Sequence, residues 1–186
     1  MSLASAVYTR WGRTECESTA ELVYEGIVGG GWYASEGSAS NPLCLVREPK
    51  WNRYDDAVSN AAWIFGTEYR LPLDQFRLEN PTKFQAANMP CSVCRTASRS
   101  TVIMVPGRND CFKGWTLEYQ GYLMAGHYSH KMASEYICVD EAPEATEAGF
   151  RDELGQTFFL VEASCGSLPC PEYVHGREIT CAVCSK

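Results

Sequence analysis

The sequence predicts a mostly β protein made of two pseudo-symmetric, disulfide-bridged subdomains that arose by internal duplication. Three observations lead there. Short stretches alternate polar and apolar residues, as half-buried strands require. Ten cysteines, an even number, occur in 186 residues. The chain also repeats itself at a shift of 95 positions. Gly12-Arg13 falls on Gly107-Arg108, Cys16 on Cys111, Leu22-x-Tyr24-x-Gly26 on Leu117-x-Tyr119-x-Gly121, and Gly31-x-Tyr33 on Gly126-x-Tyr128. After a one-residue deletion Ser40 meets Ser134, Cys44 meets Cys138, and the Cys91/Cys94 pair meets Cys181/Cys184. Such a period identifies a structural unit. It runs over residues 7–94 and again over 102–184, with a short basic linker at 95–101, the whole forming one compact tandem domain.

Within each unit, Glu21 to Glu25 and Thr116 to Tyr119 alternate as strands facing a core on one side. Ser100 to Val105 and Thr157 to Glu162 are β-branched or aromatic runs bounded by Gly or Pro. Gly29-Gly30-Gly31 and Gly37 to Pro42 read as loops. Arg53 to Trp63 has weak helical character, with Tyr54, Ala57, Val58, Ala61 and Ala62 on one side. Asp140 to Gly155 is acidic and poor in apolar residues, which predicts an exposed loop. A chain of this length buries about 70% of its unfolded surface, enough for a real core.

Charge narrows the partners. Lys and Arg number 16 against 23 Asp and Glu, a net charge of −7. An acidic chain offers no field to release counterions from nucleic acid or to hold an anionic membrane. No apolar run approaches the roughly 18 residues of a membrane span. Met1 to Val7 lacks the parts of a signal peptide and reads as a segment just upstream of the fold, which leaves the compartment open.

The cysteines speak to that compartment. Paired Cys-x-x-Cys knuckles at 91–94 and 181–184 suit tetrahedral zinc, but zinc ribbons space their knuckles roughly 15–20 residues apart, far closer than these. A disulfide framework in a secreted protein is the better account. The same cysteine order in both units predicts the same bridges twice: Cys16–Cys94 and Cys44–Cys91, then Cys111–Cys184 and Cys138–Cys181. Cys165 and Cys170 then staple a small loop of their own. Crossed pairing between the units satisfies the same count.

The run Cys111-Phe112-Lys113-Gly114-Trp115-Thr116-Leu117-Glu118-Tyr119-Gln120-Gly121-Tyr122 resembles the opening of a subdomain of the type IV collagen C-terminal non-collagenous domain, with one residue fewer between Trp115 and Leu117. The closing Cys91-Ser92-Val93-Cys94 and Cys181-Ala182-Val183-Cys184 resemble the ends of those subdomains. That family is also a tandem duplication with cysteines paired first to last and second to second-last, which implies the bridges above. Gly114 to Tyr128, Cys165-Gly166-Ser167-Leu168-Pro169-Cys170-Pro171 and Arg177-Glu178 are similar to invertebrate secreted proteins described as short-chain-collagen-like. The chain is also similar to a cnidarian galactose-binding lectin that uses calcium. It departs from the collagens in having no Gly-X-Y repeat, and its first unit lacks the inner cysteine pair. A collagen-assembly role therefore does not simply carry over.

Catalysis is not expected. The histidines are His127, His130 and His175, and neither a Gly-x-Ser-x-Gly elbow nor a phosphate loop is present. The adjacent pairs Asp55-Asp56 and Asp152-Glu153 read as solvated loop charges. Ligand binding has more to support it. Gly126-His127-Tyr128-Ser129-His130 and its counterpart Gly31-Trp32-Tyr33-Ala34-Ser35 place aromatic and polar groups beside permissive backbone, and aromatic faces pack the apolar side of a sugar while polar groups bond its hydroxyls. Tyr24, Tyr33, Tyr119 and Tyr128 recur in both units and read as core residues. Trp32, His127 and His130 do not recur, so they read as additions to the scaffold. His127 and His130 would share a face for zinc only on a helix.

Calcium takes six to eight oxygen ligands and can grip vicinal sugar hydroxyls. Glu135, Asp140, Glu141 and Glu144 lie near Cys138, and Asp55 and Asp56 occupy the matching stretch of the first unit. The resulting expectation is a secreted, calcium-dependent lectin for terminal galactose-like sugars that forms a homo-oligomer, a dimer. Trp32, His127, Tyr128, His130 and Glu135 would contact sugar; Glu135, Asp140, Glu141, Asp55 and Asp56 would hold the metal. The alternative is an extracellular-matrix assembly module.

Overall fold

The computed structural model describes residues 4–54, 56, 62–70, 73–146 and 152–186. It is nearly all β. The first half sets out β1 (Val7–Trp11), β2 (Ala20–Gly30), β3 (Leu43–Val46), β4 (Phe65–Tyr69) and β5 (Pro90–Thr96). The second follows with β6 (Val102–Pro106), β7 (Thr116–Ala125), β8 (Ile137–Asp140), β9 (Gln156–Leu160) and β10 (Thr180–Ser185). Among the described residues there is no α-helix, only a 3₁₀ turn at Pro81–Phe84. The helical stretch expected from Arg53 to Trp63 falls largely outside the described residues.

The two halves follow one plan. In the first, β5 pairs β1 and β2, and β2 pairs β3 and β4. In the second, β10 pairs β6 and β7, and β7 pairs β8 and β9. All eight pairings are antiparallel. Two parallel contacts join the halves: β1 meets β8 at Trp11 and Val139, and β4 runs beside β9 from Thr67 to Tyr69. These close the path β7–β8–β1–β5–β2–β4–β9 on itself, a ring of seven strands. Closure removes free edges from the ring; β3, β10 and β6 remain outside it, β3 paired only to β2, β10 lying between β7 and β6, and β6 paired only to β10.

The bridges are Cys16–Cys94, Cys44–Cys91, Cys111–Cys184, Cys138–Cys181 and Cys165–Cys170, and no cysteine is free. The repeated tyrosines have matching tasks: the Tyr24 hydroxyl donates to the Cys44 carbonyl at 3.0 Å and the Tyr119 hydroxyl to that of Cys138 at 2.9 Å. Gly26 and Gly121 match as well. An added Cβ would collide with the Leu45 carbonyl of β3 or the Val139 carbonyl of β8, so each half needs glycine where its third strand comes closest.

The main core is shared. Tyr69, Leu73, Phe76 and Met89 of the first half pack on Met124, Ile137, Val139 and Phe158 of the second. Each such fully buried side chain contributes about 1.5–3 kcal/mol. A second cluster gathers Tyr8, Tyr119, Leu123 and Val183 around the bridged Cys94, Cys138, Cys181. Buried charges also cross between halves. Arg10 pairs with Asp140 at 2.7 Å. Glu118 accepts from Tyr8, Thr19, Arg99 and Ser185.

Four expectations need correction. Gly29 and Gly30 are not loop but the end of β2, where Leu45 and Ile64 press over Gly29 and the Gln156 side chain over Gly30, so that an added Cβ would have to displace them. The start of the acidic stretch is not an exposed loop: Asp140 is buried, and Ala142 to Thr146 pack on the first half. The basic segment is more than a linker, since β5 extends through Thr96 and Arg99 inserts into the Glu118 site. Tyr128, finally, is not a core tyrosine; it is 94% exposed.

Candidate functional site

The β2 and β7 strands both lead into the Gly-aromatic turns singled out in the sequence. After β2 the chain turns with Ser35 N–H bonded to the Trp32 carbonyl, and after β7 with His130 N–H bonded to the His127 carbonyl. The two turns meet: Met132 N–H donates to the Tyr33 carbonyl at 3.2 Å. This contact brings Tyr33 and His130 together, with ring centroids 4.7 Å apart.

The three non-repeated residues thus join one array. Trp32 packs on Tyr33 and Phe65, and Tyr33 on His130. His130 lies 5.4 Å from His127, and His127 lies 4.3 Å from Tyr128 and 5.1 Å from Phe159. Phe159 is supplied by β9, which pairs with the end of β7 at Ala125. Beside the array a groove of about 610 Å³ runs along His127, Tyr128, Tyr136, Phe159 and Glu162. Such a volume suits a sugar-sized ligand.

Hydrogen bonding sets the chemistry of the two imidazoles. His127 Nδ1 accepts from the Ser129 amide at 3.3 Å and meets the Ser129 hydroxyl at 2.8 Å. In the neutral ring that places the proton on Nε2, a donor. His130 is half-buried, and burial, then the neighbouring His127, lowers its pKa from the usual histidine value. It therefore stays neutral at physiological pH. Its Nδ1 and the Trp32 indole N–H are buried without a partner among the described residues.

The carboxylates expected to hold a metal go elsewhere. Asp140 is spent on Arg10, and Glu141 pairs with Arg77 at 3.3 Å. Glu144 pairs with Arg13 at 3.2 Å and accepts from Thr14. Glu135 is exposed and lines a separate, smaller groove with Tyr8 and Tyr136. Asp56 is exposed, and Asp55 lies outside the described residues. Neighbours in sequence part company because the strand and the turn after it send successive side chains to different arginines. Among the described residues no three His, Cys, Asp or Glu side chains gather as a metal site.

Sequence reasoning missed Tyr136, Phe159 and Glu162. Only Tyr136 had a readable signal, next to Glu135 before Cys138; Phe159 and Glu162 arrive through long-range pairing of β9 with β7. No family model matches the chain. Among the described residues no helix is long and apolar enough to cross a membrane.

Proposed function

We propose that this is a secreted carbohydrate-binding protein, and not an enzyme, whose groove at His127, Tyr128 and Phe159 takes a terminal galactose-like sugar. The observation that carries the reading is convergence: Trp32, His127 and His130, whose residue types do not recur at the matching repeat positions, come from turns far apart in sequence and join one aromatic array beside an open groove. Tyr128 and Phe159 offer ring faces for the sugar's apolar side. His127 Nε2–H, the Tyr136 hydroxyl and the Glu162 carboxylate offer one donor, one donor–acceptor and one acceptor for its hydroxyls. Five bridges and no free cysteine fit an oxidising compartment. The matched strand plans support an origin by duplication.

Calcium is carried as an arm of the test, because Asp140, Glu141 and Glu144 are already neutralised by arginine. The alternative reading, a matrix assembly module, draws on the exposed apolar side chains of β3 and of Trp51, Tyr54 and Trp63. Capture on immobilised galactose, with calcium and with EDTA, separates these. Binding that survives EDTA places the grip in the aromatic groove. Binding lost in EDTA places it on carboxylates. No binding to galactose in either buffer by the folded protein refutes the lectin reading and favours the assembly module.

A further inference from the structure

The shared plan of the two halves exposes an inequality between them. β2 pairs β3 with Ile27 opposite Leu45 and Gly29 opposite Leu43; β7 pairs β8 with Tyr122 opposite Val139 and Met124 opposite Ile137. Leu43 and Leu45 thus hold the places of Ile137 and Val139. In the second half these are 5% and 0% exposed, packed with Tyr69 at the end of β4 and with Leu73, Phe76 and Met89 from the first-half segment between β4 and β5. In the first half Leu43 and Leu45 are 48% and 37% exposed. The face is there without its cover.

The cover is also there without its face. The counterpart of the 70–89 segment is residues 161–179, between β9 and β10. Leu73 and Phe76 are buried in the first segment, whereas most of 171–177, Val174 included, is exposed in the second. Between this segment and the end of β6 lies an unfilled groove of about 410 Å³ bounded by Gly107, Tyr173, Val174 and Ile179. Its first-half equivalent is filled. Gly12, which matches Gly107, is closed over by Val139 and Pro143 of the second half, each within 3.4 Å of where its Cβ would stand. The residues matching Val139 and Pro143 are Leu45 and Pro49, both exposed.

Charge follows the same exchange. Within the chain Glu141 meets Arg77. Arg47, which pairs with the half-exposed Glu25, stands in the place of Glu141, and the groove carries Glu172 and Glu178 beside Arg177.

We propose that a second copy of this chain docks here, the β2–β3 face of one copy seating in the 161–179 groove of the next, with Leu45 and Pro49 filling it. The contact joins two different surfaces, so it is head-to-tail, and each copy offers one face and one groove. The proposal does not depend on the sugar reading.

Complementation tests it on the full, disulfide-intact chain by native mass spectrometry and light scattering. Leu45→Asp spoils the face and Val174→Asp spoils the groove. Arg47→Glu serves as the face variant if Leu45→Asp lowers the melting temperature. The native chain is expected to self-associate at tens of micromolar, and each variant alone to do so at least tenfold more weakly. An equimolar mixture of a face and a groove variant should recover a one-to-one dimer through its single intact contact, and stop there. A native chain that stays monomeric at that concentration overturns the proposal. So does self-association unchanged in both variants, or a mixture that remains monomeric.

Discussion

Replacing Glu118 by glutamine probes how the halves are locked. Glu118 lies on β7 and is 1% exposed. Its carboxylate accepts from the Tyr8 hydroxyl of β1 at 3.0 Å, the Thr19 hydroxyl at 2.9 Å, Arg99 at 2.9 Å and the Ser185 hydroxyl of β10. Burial by itself pushes this carboxyl's pKa up, but the hydrogen bonds from Ser185, Thr19, Arg99 and Tyr8 outweigh it and hold it below the usual glutamate value. Glutamine keeps the shape, loses the charge, and turns an N–H₂ toward a donor. Removing one partner of a buried ion pair costs about 3–5 kcal/mol. Arg99 keeps the Thr19 and Ala97 carbonyls, which lowers the expected loss for Glu118→Gln to about 2–3 kcal/mol, whereas Glu118→Ala, which removes every acceptor, should lose about 4–5 kcal/mol. Urea unfolding at pH 7 without reductant reads the loss as a shift in midpoint at unchanged slope. The pH dependence has a fixed sign. A depressed folded pKa gives stability that is present above the unfolded value of about 4.3 and lost as pH falls through the lower folded value. The gap between native and Glu118→Gln proteins should therefore narrow in acid. A loss under about 0.5 kcal/mol at pH 7, or a gap constant into strong acid, refutes the reasoning.

The other expectations follow the same logic. Replacing both Cys16 and Cys94 by serine opens a 78-residue separation and should cost about 4.5 kcal/mol on the chain-entropy model, whereas opening Cys165–Cys170, separated by 5, should cost about 2, compared by thermal unfolding. Gly121→Ala drives a methyl into the Val139 carbonyl and should lose about 2–3 kcal/mol, while Gly37→Ala, with open space around it, should change stability by less than about 0.5 in the same assay. Asp140→Asn leaves the buried Arg10 without its main counter-charge and should cost about 3 kcal/mol in urea unfolding.

Much of the fold was legible because it rests on repetition. The doubled cysteine order implied the four long bridges, and the doubled Leu-x-Tyr-x-Gly marked β2 and β7, with each Tyr and Gly serving the same contact in its half. What failed was local reading where tertiary packing decides. Three glycines in a row signal a loop, yet Gly29 and Gly30 are strand residues chosen for close approach. An acidic run signals solvent, yet Asp140 is drawn inside by Arg10, 130 positions away. At the site, Trp32, His127 and His130 were marked by residue types that differ between the matched turns, and the structure brings them together. Phe159 and Glu162 carried no signal, because a strand pairing from the far end of the chain delivers them. The metal reading grouped carboxylates by sequence proximity, and the arginines that disperse them come from β1, the turn after it and the segment before the 3₁₀ turn.

The most direct measurement is a glycan array probed with the native protein and with the His127→Ala/Tyr128→Ala double variant, both verified as folded and fully bridged. The account predicts signal concentrated on terminal galactosides for the native protein and at least tenfold weaker for the variant. Native protein that binds no glycan, or a variant that binds as well as the native chain, contradicts it.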